Sequence, residues 1–112
     1  MDTYQDWLDA RDNARQANSD YRESGRRSAY AEANYYRTKA VEAAKLKAAG
    51  TPVTYIETVI KGIEQVNDAL LAYRLAEAEN NADKLQNLLF NQEEAHTYDM
   101  HKRVMAGDTE RF

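Results

Sequence analysis

No cysteine occurs among the 112 residues, which excludes a disulfide framework and any thiolate site. A reducing compartment suits such a chain. Proline occurs once, at Pro52, and glycine four times, so only a few positions oblige a helix to stop. Bulky apolar residues are equally sparse: Leu, Ile, Val and Phe together number 18, no more than alanine alone. That supply is too thin for a deep core, and a second copy or a partner is expected to cover the apolar stripes. No run approaches the ~20 apolar residues of a membrane span. The acidic start from Met1 to Asp6 does not read as an export leader, so an unexported protein with no membrane contact is expected. A net charge of -4 with pI near 5.2 disfavours general duplex DNA binding, where affinity grows with the cations offered to phosphate. Neither a nucleophile elbow nor a Gly-rich phosphate loop occurs, so the chain reads as non-enzymatic and without a cofactor.

What is present is helix. Before Gly50 the only breaker is Gly25, and after Gly62 there is none until Gly107. The layout predicts a first helix over 3–49, with a kink or break near Ser24-Gly25, a short helix over 52–61, and a last helix over 63–105. One domain spans 1–106, followed by a flexible tail at 107–112. Thr3 with Asp6 three residues on has the spacing of a capping box. Tyr4, Trp7, Leu8, Ala14, Ala17 and Tyr21 fall on one stripe; beyond Gly25, Ala29, Ala33, Tyr36, Ala40, Ala43 and Lys47 continue it on a shifted face. For the short helix, Thr51 with Pro52 or Thr54 with Glu57 would serve as the start, and Ile56, Val59, Ile60 and Ile63 share one side. Val66, Leu70 or Leu71, Leu75, Ala78, Ala82, Leu85, Leu89, Gln92 and His96 mark the expected inner face of the last helix. At 1.5 Å per residue that helix would be roughly 60 Å long. The fold expected is all-α: an elongated antiparallel helical hairpin with a short connecting helix, assembling into a dimeric or higher-order helical bundle.

Charge is unevenly shared. Residues 21–39 carry Arg22, Arg26, Arg27, Arg37 and Lys39 against Glu23 and Glu32, with Tyr21, Tyr30, Tyr35 and Tyr36 interleaved. Arginine forks beside tyrosine rings suit an anionic, nucleotide-like ligand, so Arg26, Arg27, Tyr30, Tyr35, Tyr36 and Arg37 are candidate ligand-binding residues. The alternative is that this stretch pairs with the acidic last helix and the rings fill the core. Residues 63–99 hold eight acids against Arg74 and Lys84. Such a surface suits a basic protein surface, with Glu77, Glu79 and Asp83 as candidate contacts. Glu93 and His96 have the Glu-x-x-His spacing of a di-iron bundle ligand pair, which Glu32 or Glu42 would have to complete; a solvated or capping role for His96 is the competing reading. His96 and His101 are five apart, off the register of a helical zinc pair.

The run Tyr35-Tyr36-Arg37-Thr38-Lys39-Ala40, then Leu46-Lys47-Ala48-Ala49-Gly50-Thr51-Pro52-Val53-Thr54-Tyr55-Ile56, then Val59-Ile60-Lys61-Gly62, Val66, Ala76-Glu77 and Leu85, resembles small helical proteins encoded by phages and prophages of Gram-positive bacteria. The resemblance implies a phage accessory protein acting in the host bacterial cytoplasm, and it carries over no site residues. The first functional reading is a stoichiometric inhibitor of a bacterial antiviral defence system, which covers a host protein surface or sequesters a nucleotide signal. The second is a phage structural or assembly component, or a helper at replicating DNA. A metal-binding helical bundle is the third.

Overall fold

The computed structural model describes residues 2–107, and among these all regular structure is helical: α1 Thr3–Ala48, α2 Val53–Ile60 and α3 Glu64–Gly107. The tail expected beyond Gly107 lies outside the described residues, and Gly107 itself closes α3. No helix among the described residues is long and apolar enough to cross a membrane. The contacts divide into two compact units, one of residues 1–23 with 81–112 and one of residues 24–80.

Local chemistry explains the helix ends. Asp2, not Thr3, caps α1: its Oδ1 accepts from the Gln5 backbone N–H at 3.0 Å. Thr3 instead turns inward, 8% exposed, with its hydroxyl 3.0 Å from His101 Nδ1. At the other end Gly50 takes φ 87, a left-handed conformation open to glycine at little steric cost. Gly50 N–H then reaches Lys47 O at 3.1 Å and Thr51 N–H reaches Leu46 O at 3.0 Å, the paired bonds of a Schellman stop. Neither expected threonine cap starts α2, because Pro52 occupies the cap position and no side chain bonds there. The turn into α3 is tied by Asn67 Nδ2, which donates to Lys61 O at 3.1 Å.

In the unit of residues 24–80, Ser24, Ser28, Ala31, Tyr35 and Thr38 on α1, with Val66, Ala69, Tyr73, Ala76 and Asn80 on α3, are buried or half-buried. Partners run in opposite chain order, as antiparallel neighbours do: Asn80 Nδ2 donates to Ser24 Oγ at 3.1 Å, Arg27 pairs with Glu79 at 2.7 Å, and Tyr35 stacks on Tyr73 with centroids 6.2 Å apart. Ile60 of α2 is 2% exposed and plugs the turn end, whereas Val59 faces out. Helix α1 does not break at Gly25. The glycine lies beside Asn80, whose Nδ2 would be 3.4 Å from an added Cβ, so it serves close approach of two helices rather than a stop.

In the other unit, Ala10, Ala14 and Ala17 are each at most 5% exposed. Their half-buried counterparts on α3 are Asp83, Asn87, Phe90, Glu94, Thr97 and Val104. Trp7 packs with Tyr98 at 5.4 Å between centroids and with His101 at 6.2 Å, and the Arg11 guanidinium lies 5.5 Å from the Trp7 ring centroid.

Two expected faces are therefore corrected. On α1 the buried positions keep a strict 3-and-4 alternation through Ser24, Ser28, Ala31 and Tyr35, and Ala29, Ala33, Tyr36 and Ala40 are exposed. On α3 the expected leucine stripe points outward: Leu71, Leu75, Leu85 and Leu89 are 56–63% exposed. The sides that face inward are mostly small or polar, and small side chains allow two backbones to come close.

Candidate functional site

The six residues nominated as an anion site do not converge. At 100° per residue Arg26, Tyr30 and Arg37 share the outward face of α1, all exposed, with Tyr30 at 77%. Arg37 Nη2 donates to Asn34 Oδ1 at 3.1 Å on that same face. Arg27 stands at its edge, paired with Glu79. Tyr35 lies on the opposite side of the helix between α1 and α3, and Tyr36 leans on it from outside at 5.1 Å.

The acids nominated for protein contact are also partly engaged. Glu79 holds Arg27, and Glu77 accepts a hydrogen bond from the Tyr73 hydroxyl. That bond is the main reason the Tyr73 phenol titrates above its ordinary value of 10.0, with desolvation and the nearby charges of Glu32 and Glu77 adding to it. Asp83 is half-buried in the other unit. Glu93 and His96 are exposed, and among the described residues no group of three or more His, Asp or Glu is placed to hold a metal.

What the fold does assemble is a cavity of about 270 Å³ where α1, α2 and the start of α3 meet in the 24–80 unit, lined by Tyr35, Lys39, Glu57, Ile60, Lys61, Val66, Asn67 and Leu70. Its polar rim carries two cations and one carboxylate. Lys39 Nζ stands 3.6 Å from Glu57 Oε2 with the carboxylate largely exposed, a loose pair that a competing anion displaces at little cost. Tyr35 and the aliphatic wall supply an apolar, ring-bearing side. The arrangement suits a small organic anion: the charged end against Lys39 and Lys61, the flat end against Tyr35.

Sequence reasoning found Tyr35 and the basic stretch ending at Lys39 but missed Glu57, Lys61 and Asn67. One signal was available: Tyr35 and Lys39 are four apart and so share a helix face, directed at whatever follows the Gly50-Thr51-Pro52 turn.

No family model, no curated protein and no solved structure matches this chain.

Proposed function

We propose that this protein works by stoichiometric binding rather than catalysis, as a self-associating antiparallel helical hairpin whose outer faces engage a partner. One observation carries the reading: Leu85, Leu88 and Leu89, within one turn of α3, are each more than half exposed, while the neighbouring half-buried positions of that unit are mostly polar. A cluster of exposed leucines of that kind supports an interaction site on the helix. In the setting the phage resemblance implies, the protein acts in the host cytoplasm and the partner is a protein of an antiviral defence system. A role in particle assembly or at replicating DNA would use the same faces.

The cavity at Tyr35, Lys39 and Lys61 favours a second reading, sequestration of a small anionic signal such as a nucleotide. The two readings separate in one experiment. Bacteria carrying a defence system are challenged with the phage it restricts while expressing wild type, Leu85→Glu with Leu89→Glu, or Lys39→Glu with Lys61→Glu. Surface blocking expects restored plating that the leucine pair abolishes and the lysine pair spares. Sequestration expects the reverse, together with material absorbing at 260 nm in the purified wild type. A wild-type chain that changes plating against no defence system, and retains neither a host protein nor such material, overturns both.

A further inference from the structure

We propose that the cavity between α1, α2 and the start of α3 selects aromatic anions of single charge, and that Glu57 is the residue that sets this limit. The inference rests on the reading of this cavity as an anion site and names the ligand class it takes. Every lining residue lies within the unit of residues 24–80. The volume of about 270 Å³ falls just below the ~300–1,000 Å³ of pockets that hold drug-sized ligands, which leaves room for one ring system and its charged group. The ring-bearing wall is fixed in advance, since Tyr35 stacks on Tyr73 with 6.2 Å between centroids and meets Tyr36 at 5.1 Å. Ile60 and Val66, both buried, add the apolar lining.

The charge limit follows from the rim. Lys39 and Lys61 bring two positive charges and Glu57 one negative, so the rim carries a single positive charge in all. The next acid along α1, Glu42, is matched by Lys45 at 3.1 Å and leaves that balance unchanged. A ligand with one negative charge takes over the Lys39 contact that Glu57 holds at 3.6 Å and makes the rim neutral. A second negative charge would face the Glu57 carboxylate, and no third cation lines the cavity among the described residues. The backbone under Glu57 is held in place: Lys61 N–H donates to Glu57 O at 3.4 Å, Asn67 Nδ2 donates to Lys61 O at 3.1 Å, and Ile60 is 2% exposed. Glu57 and Lys61, four residues apart, therefore stay on one side of α2 and its cap. Because the carboxylate is largely exposed, its repulsion is screened and should change affinity by roughly two- to five-fold.

Matched pairs of probes test the limit by calorimetric titration at about pH 8, where a phosphate monoester, with its second pKa near 6, carries two charges. Cyclic AMP, a phosphodiester with one negative charge, is compared with AMP, and benzoate with phthalate. The first pair stands for a nucleotide source and the second for an aromatic acid. In at least one pair the singly charged member should bind wild type roughly two- to five-fold tighter at low salt, with the preference narrowing as salt rises. Glu57→Gln keeps the shape and removes the charge, so it should tighten the doubly charged member and erase the preference. Lys39→Gln should weaken both members. Wild type that binds the doubly charged members equally or more tightly would overturn the charge limit and leave an anion site standing. A preference that survives Glu57→Gln, with helicity unchanged by circular dichroism, would overturn the role of Glu57. Binding of none of the four at millimolar concentration would overturn the anion reading together with the limit.

Discussion

Gly25→Ala should stabilise this protein, although the glycine sits where two helices come close. In a helix interior alanine is favoured over glycine by about 1 kcal/mol, largely because glycine leaves the unfolded chain more freedom to lose. The opposing effect is steric. The new Cβ would meet Asn80 Nδ2 at 3.4 Å, ordinary van der Waals contact, and the Asn80 bond to Ser24 Oγ at 3.1 Å need not move. The expected net gain is about 0.5–1 kcal/mol. With a urea dependence of about 1.5 kcal/mol per molar, the unfolding midpoint should rise by roughly 0.5 M. Circular dichroism at 222 nm reads it, at one fixed protein concentration because self-association would shift the midpoint by mass action.

Gly25→Leu is the companion measurement. Its longer side chain would push against the Asn80 amide and overpack the contact beside Ser24, which is 1% exposed, at a cost of about 1–3 kcal/mol. A lowered midpoint for Gly25→Ala would refute the reasoning, since it would mean the position demands a conformation or a separation only glycine allows. If alanine and leucine both stabilise, the helices do not meet at Ser24 and Asn80.

Two further substitutions probe the packing and the one shifted ionisation. Ala14 is 1% exposed, so Ala14→Leu should overpack the alanine seam and lower stability by about 1–3 kcal/mol in the same urea assay; a neutral result would mean the seam is open. Tyr73 is held above its ordinary 10.0 chiefly by its bond to Glu77, so the fold favours the neutral phenol: its contribution is intact below pH 10 and is lost as pH rises through the folded value. Glu77→Gln should bring one tyrosine back toward the ordinary range in an ultraviolet titration near 295 nm, and an unchanged titration curve would show that the bond does not form.

The sequence was most informative about where helices stop and least about which way they face. Gly50 and the Lys61-Gly62 pair mark real ends because their backbone requirements are local: a left-handed residue closing α1 and a tight turn closing α2. Asp2 displaced Thr3 as the cap for a tertiary reason, since the threonine hydroxyl is taken up by His101, ninety-eight residues away. Facing could not be read the same way. Periodicity identifies which residues share a side of a helix, and it does not say what covers that side. The leucine stripe of α3 reads as one face, and the ordinary expectation that leucine lies inside sets it against α1, where the structure places other residues. The cavity residues were hidden for another reason, since Lys39 and Lys61 come together only because α2 turns back between them. Where α1 and α3 meet through alanine, serine and asparagine, the small side chains let the two backbones come close. The inward positions of α3 are taken mostly by alanine, asparagine and other small or polar side chains, so Leu71, Leu75, Leu85 and Leu89 stay on its exposed side.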